Sequence, residues 1–420
     1  MNKHRLLIAF AASTIIPSTS FATNGYQLIG IGAYQKGMGG AVTANPGSAM
    51  TAVTNPAGIT SIEKRADFSM ELFMPERDMD FTATSGERKE SSATQYGVPS
   101  LGWSAPIADN SNIYFGGGMY GTSGMGVDYP VTSVNSGTTM EIDAYSNISF
   151  WQMAPVLAMK LNDRLSLGAS LNIDYQSVAI KQNVMIGGND YQKIDLSRGA
   201  SNFGFGLSLG LLYDLNPAAT VGFAYKSKQS FDPMEYQLAS GDITLPVNNT
   251  PTAMPAGTYT LDLDFPQQAA VGIAYKGFNK LTLAADVKWI NWSDTMDKLT
   301  INGPAGPIVM NTGWDDQTVY ALGVNYAVNE SIALSAGYNY AKSPIGAEDV
   351  SNNLILPAIV ETHYTVGAMF RLNNHWELAM HYMYVPEKSL TAPSSDPNGM
   401  GGTTISLSET SAGFNIGYRF

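Results

Sequence analysis

The sequence predicts an all-β protein: a fourteen-stranded antiparallel transmembrane β-barrel plugged by a small N-terminal hatch with short helices. Three observations predict it. Apolar and small polar residues alternate with a period of two along segment after segment, aromatic residues mark the ends of those segments beside short turns, and a glycine-rich, almost uncharged stretch precedes the first of them. Past the N-terminal leader, no segment carries the roughly 18 continuous apolar residues that a membrane-crossing helix requires.

Residues 1–22 read as a cleaved signal peptide. Lys3, His4 and Arg5 supply a basic start, Leu6 to Ile16 an apolar run, and Ser20 and Ala22 the small residues of a cleavage site. The apolar run is too short to span a hydrocarbon core of roughly 30 Å, so the mature chain should begin near Thr23. Residues 23–62 form the expected hatch and residues 63–420 the expected barrel.

Within the barrel, LSLGASLNIDY sets Leu165, Leu167, Ala169, Leu171, Ile173 and Tyr175 on one face and Ser166, Gly168, Ser170, Asn172 and Asp174 on the other. NFGFGLSLGLLY from Asn202 and WELAMHYMY from Trp376 repeat the pattern. A soluble sandwich would also alternate, but three features favour a membrane wall. Tyr213, Tyr275, Tyr326, Phe370 and Trp376 flank short turns, as an interfacial girdle would. Short turns alternate with longer polar loops. The chain also ends AGFNIGYRF, and a last strand closing on Phe420 resembles the sorting signal of outer-membrane barrels. The expected partners are therefore outer-membrane lipids and, during biogenesis, the barrel-assembly machinery, with the barrel a monomer in the outer membrane of a Gram-negative bacterium. Strands are predicted at 65–77, 95–106, 112–124, 143–160, 164–184, 195–214, 219–232, 260–276, 279–301, 314–326, 330–342, 359–372, 375–387 and 404–420.

The formal charge of −12, which loses two positive charges with Lys3 and Arg5, argues against nucleic acid as a partner. The absence of cysteine excludes disulfides and thiolate metal sites. His363, His375 and His381 fall in no nucleophile or metal spacing, so neither an enzyme nor a metal or other cofactor is expected. Facing inward, small residues dominate and charges are sparse: Lys226, Asp286, Lys288, His363, His381 and Arg419. Open porins use rings of charge around a water-filled pore. A general diffusion porin is therefore the weaker alternative. A surface receptor or adhesin would rest on the loops near 79–94, 125–142, 233–258 and 388–402, which every such barrel has.

Small inward side chains leave room for residues 23–62. That stretch is rich in glycine, and Lys36 is its only charged side chain before Glu63. Tyr26, Leu28, Ile29, Ile31, Met38 and Val42 make it too apolar for a solvated tail. In NPAGI, Asn55 is placed to cap a short helix and Pro56 to open it, where no amide donor is lost.

GYQLIGIGAYQKGMGGAVTA at 25–44, followed by NPAGI and then by fourteen strands, resembles the FadL family of outer-membrane transporters for hydrophobic compounds, which includes TodX-like hydrocarbon channels. Further likeness lies in AYSNISFWQMAPVLAMKLND, INWSDTMDKLTI, GYNYAKSPI and the terminal strand. The resemblance implies passive uptake of long-chain fatty acids or of aromatic or aliphatic hydrocarbons through a loop-side groove and a lumen pocket. Asn55, Pro56 and Ala57 would belong to the gating hatch, near a sideways exit at a kink in the third strand, where Gly118, Tyr120 and Gly121 match by position. Family members can meet a ligand carboxylate with a basic residue near the end of the fifth strand. Lys181 and Gln182 are the nearest positions, but the alternation turns Lys181 away from the lumen, which favours a neutral solute.

Overall fold

A computed structural model of the protein describes residues 24–84, 86–135 and 139–420, without the side chains of 84, 122–125, 131–135 and 139; the expected signal peptide, 1–22, lies outside the described residues. Fourteen strands form the wall: β1 (Arg65–Asp80), β2 (Tyr96–Pro106), β3 (Ile113–Asn135), β4 (Thr139–Lys160), β5 (Leu165–Ile186), β6 (Ala200–Asn216), β7 (Ala219–Lys226), β8 (Gln268–Phe278), β9 (Leu281–Ile290), β10 (Gln317–Ala327), β11 (Ile332–Ala341), β12 (Thr362–Arg371), β13 (Trp376–Thr391) and β14 (Thr404–Arg419). Each pairs antiparallel with the next, and β14 returns to β1 from Arg65↔Arg419 to Asp80↔Thr404, which closes the barrel. Closure leaves no free edge strand, so the backbone along that seam is satisfied without water.

Alternation sorts the side chains between two solvents. On β6, Phe203, Phe205, Leu207 and Leu209 stand outward, with Phe205 and Leu207 each 57 % exposed. On β5, Ser170, Asn172 and Asp174 are buried inside while Leu167, Leu171 and Tyr175 face out. Exposed apolar residues recur on strand after strand, and a contiguous apolar surface of that extent marks a membrane. Tyr213, Tyr275, Tyr326 and Trp376 are among the exposed rings, at the ends of their strands.

Short turns join strands at one end, and long connections at the other. The 23 residues of β3 amount to on the order of 70 Å of strand, so β3 to β5 stand well above the bilayer core. The third segment runs past its expected end at 124 because pairing with β4 resumes beyond the glycines, after a register shift between Ser123 and Gly126. The segment expected at 219–232 stops at Lys226, and the one at 279–301 stops at Ile290. There the chain turns in to bury Trp292, forms a short helix at Ser293–Met296, and joins a second, four-stranded sheet made by the two long connections (Met234–Leu238, Gly257–Leu261, Lys298–Gly303, Gly306–Asn311).

The hatch fills the lumen with helices α1 (Ala33–Gly37) and α2 (Thr51–Thr54) and a 3-10 turn (Pro56–Ser61). Its backbone lies directly on wall glycines. A Cβ at Gly168 or Gly210 would come within 3.0 Å of the Ala57 amide, one at Gly222 would meet the Thr43 carbonyl, and one at Gly337 would meet Gly39. The small inward residues are thus the contact surface of the hatch, not the lining of an open pore. In planar bilayers the intact protein should show only small conductance, and deletion of residues 23–62 should raise it. Large porin-like steps from the intact protein would refute the plug.

Candidate functional site: the hatch, the cavity above it and a break in the wall

Carboxylates on the wall hold the hatch by its amides. Asp286 on β9 accepts from the backbone N–H of Val42 and Thr43 at 2.9 and 2.8 Å, and Asp67 on β1 accepts from Ala49 at 2.8 Å. Lys36 on α1 pairs with Glu71 on β1 at 3.0 Å. Wall side chains also donate to hatch carbonyls: Asn339 to Gly39 at 3.0 Å and Ser104 to Ile59 at 2.9 Å. Charge-assisted bonds to backbone amides are about twice as strong as neutral ones.

Asn55 has two jobs in this contact. Its Oδ1 accepts the Ala57 N–H at 3.1 Å, which caps the 3-10 turn, and its amide donates to the carbonyls of Thr43 at 2.7 Å and Leu211 on β6 at 3.2 Å. It therefore ties two parts of the hatch to each other and to the wall. Pro56 occupies the first position of the turn. Asn55, Pro56 and Ala57 lie against β5 and β6, and the end of the turn reaches toward β3, where Ile59 approaches Gly116. The hatch element that touches Gly118 is instead α2: a Cβ there would come 2.6 Å from Val53.

The wall is discontinuous at β3. Its pairing with β2 ends at Ser100↔Tyr120, although β2 continues to Tyr96, and the register against β4 shifts three residues later. Gly118 and Tyr120 face the lumen at this point, and Tyr120 is buried, with its ring 5.8 Å from the Lys226 ammonium. Gly121 faces the other way: a Cβ there would strike the exposed Trp151 indole at 2.6 Å.

Between hatch and outer connections lies an internal cavity of about 90 Å³. Ile29, Ile31, Val53, Tyr120 and Phe265 give it apolar walls, and Lys226 and Lys288 are its cations. Lys226 donates to Gln152 at 2.9 Å, whose amide donates to Asp174 at 2.8 Å. Among the described residues neither lysine has a carboxylate within 4.0 Å, although Asp174 acts on Lys226 across Gln152 and Asp286 acts on Lys288 from the same strand. Tyr26 closes the cavity as part of an aromatic cluster, its ring 4.6 Å from Trp292, 5.4 Å from Phe265 and 5.8 Å from Trp314. Lys181 and Gln182 do not line this cavity; Lys181 pairs with Asp143 on β4.

The expectation of sparse inward charge is overturned. Besides Lys36 and Glu71, the interior holds Arg65, Asp67, Glu377 and Arg419 as one network: Arg65 bridges Asp67 at 2.7 Å and Glu377 at 2.9 Å, and Arg419 joins Glu377 and Glu63. Of these the sequence named Lys36 and Arg419; it missed Arg65, Asp67 and Glu71 on β1 and Glu377 on β13. The signal was nonetheless present: Phe68, Met70 and Leu72 alternate with Asp67, Ser69 and Glu71.

The family described as Outer membrane protein transport protein (OMPP1/FadL/TodX) matches residues 9–420. Over 225 residues the chain is 24 % identical to the 47 kDa outer membrane protein of Pasteurella multocida, covering 52 % of this chain and about half, 51 %, of that protein. Over 383 residues it is 24 % identical to the long-chain fatty acid transport protein of Salmonella typhi, covering 83 % and 84 %. Among solved structures it is similar to the toluene transporter TodX of Pseudomonas putida (TM-score 0.74, 19 % identity, 94 % of this chain and 99 % of that one) and to the toluene transporter TbuX of Ralstonia pickettii (TM-score 0.72, 20 % identity, 94 % and 100 %). The likeness in structure is one of fold, and the match across nearly the whole sequence makes the chain a member of the OMPP1/FadL/TodX family of outer-membrane transport proteins.

Proposed function

We propose that the protein admits hydrophobic solutes carrying an acidic headgroup across the outer membrane by passive diffusion. The solute enters from the loop end, rests in the cavity with its headgroup between Lys226 and Lys288, and leaves sideways at the β2–β3 break when the hatch shifts. The observation that carries this reading is the pair of cavity lysines that no carboxylate touches directly: Gln152 stands between Lys226 and Asp174, and Asp286 spends its hydrogen bonds on the hatch amides of Val42 and Thr43. Both lysines are half-buried, and an entering carboxylate would give them the direct charge-assisted contact that Asp174 and Asp286 do not make. The fatty acid named for the Salmonella relative is such a solute, whereas the toluene named for the structural neighbours is not. The lysines therefore reverse the preference for a neutral solute that Lys181 suggested.

The cavity also argues for a gate. About 90 Å³ is well below the roughly 300 to 1,000 Å³ of a pocket that encloses a drug-sized ligand. A long solute can be accommodated only if hatch residues such as Ile31 and Val53 give way. Val53 is the residue that meets Gly118 beside the wall break, so the motion that enlarges the cavity also frees the exit.

Binding of oleate and of toluene to the purified protein tests the headgroup. Lys226→Ala and Lys288→Ala should each weaken oleate by roughly 10- to 150-fold, the equivalent of a hydrogen bond to a charged group, and leave toluene unchanged. Oleate affinity indifferent to both substitutions would sink the acidic-solute reading.

The gate has its own test. Asn55→Ala removes the cap, worth roughly 0.5 to 2 kcal/mol, and should shift a hatch equilibrium by a factor of about 2 to 30. Gly118→Leu should jam α2 against the break. Uptake should change in both variants while the heat-modifiable mobility of the folded barrel stays the same. Unaltered uptake in Gly118→Leu would move the exit elsewhere.

A further inference from the structure

The connection between β11 and β12 does not arch into solvent. After a 3-10 turn at Ala347–Asn352 it runs as NLILPAIVE, residues 353–361, and Leu354, Ile355, Ile359 and Val360 are 0 % exposed. This strap belongs to no strand. It is anchored at its ends: Asn353 donates to the Thr312 carbonyl at 2.7 Å and accepts from the Trp314 indole at 2.8 Å, and Glu361 accepts the Ser343 N–H at 2.8 Å. Between the anchors, among the described residues, a single hydrogen bond ties it to the wall, from the Ser146 hydroxyl to the Ile355 carbonyl at 2.6 Å. That hydroxyl also accepts the N–H of Val127, just past the register shift in β3.

The middle of the strap is thus an uncharged apolar chain held in the lumen mainly by burial. Burial is non-directional, so another apolar body of similar girth can take its place. The position connects with the cavity: Asn353 fixes Trp314, Trp314 packs on Tyr26, and Tyr26 lines the cavity that holds Lys226 and Lys288.

We propose that residues 354–360 occupy the binding site for the hydrocarbon tail of the incoming solute and act as an internal stand-in that the tail displaces. The proposal rests on the hydrophobic-solute reading above. The end anchors keep the strap tethered while its middle is expelled, and they return it when the solute leaves. The Ser146 hydroxyl couples that exchange to β3 at the edge of the wall break.

The test uses the absence of native cysteine. In Ser146→Cys/Ile355→Cys, oxidation should lock the strap and lower [14C]oleate binding at least tenfold, and reduction should restore it. Ser146→Ala, which frees the middle of the strap, should raise oleate affinity several-fold. Binding that is equal in the oxidised and reduced states, with the cross-link verified by mobility, would overturn the strap's role, as would unchanged affinity in Ser146→Ala. Failure of the unmodified protein to bind oleate at all would overturn the solute reading itself, and the strap inference with it.

Discussion

Close contact between the hatch backbone and the wall backbone is the constraint on which the rest depends. Two main chains can approach that closely only where neither presents a Cβ, and the wall supplies glycine at Gly168, Gly210, Gly222 and Gly337 where the hatch passes. Close approach strands hatch amides and carbonyls away from water, and buried amides need partners. Asp286, Asp67, Asn339 and Ser104 provide them from the wall. The lumen is therefore polar because it must satisfy a buried chain, and small because it must admit one.

The buried ions follow the same logic. Arg65, Asp67, Glu377 and Arg419 join β1, β13 and β14 across the seam where the barrel closes, and Asp67 extends the network to the hatch amide of Ala49. Removing one member of such a network leaves its partner charged and unpaired, which costs more than the intact pair contributes. The network thus favours one placement of the hatch over displaced ones. Lys226 and Lys288 stand apart from that network, lining the cavity together with Gln27, Ser208 and Gln268 and with Asp174 and Asp286 as the carboxylates that act on them.

Above the hatch the interior changes character. Tyr26, Phe265, Trp292 and Trp314 pack edge to face, Phe150 stacks on Phe265 at 4.3 Å, and the strap adds aliphatic side chains. The hydrogen-bonded contact of hatch and wall and this apolar cluster meet at the cavity. Directional contacts hold the hatch against the wall in one arrangement, while the cluster and the strap are held mainly by non-directional burial.

The sequence by itself determined the strand count, the outward and inward faces, the hatch and the cap at Asn55, because each is a local property: a period of two, a turn composition, a capping residue before proline. It also placed Lys226, Asp286 and Lys288 on the inner face. It could not say that Asp286 would accept from Val42, 244 residues away, that Asn55 would reach Leu211, 156 residues away, or that the two lysines would line one cavity with no carboxylate in direct contact. Those pairings depend on the register of fourteen strands around a closed ring, and a shift of one residue would exchange every inward side chain for an outward one. The strap was illegible for the same reason: LILPAIV has no period that distinguishes a lumen-filling loop from a short buried strand, and only the volume left inside the barrel decided where it would go.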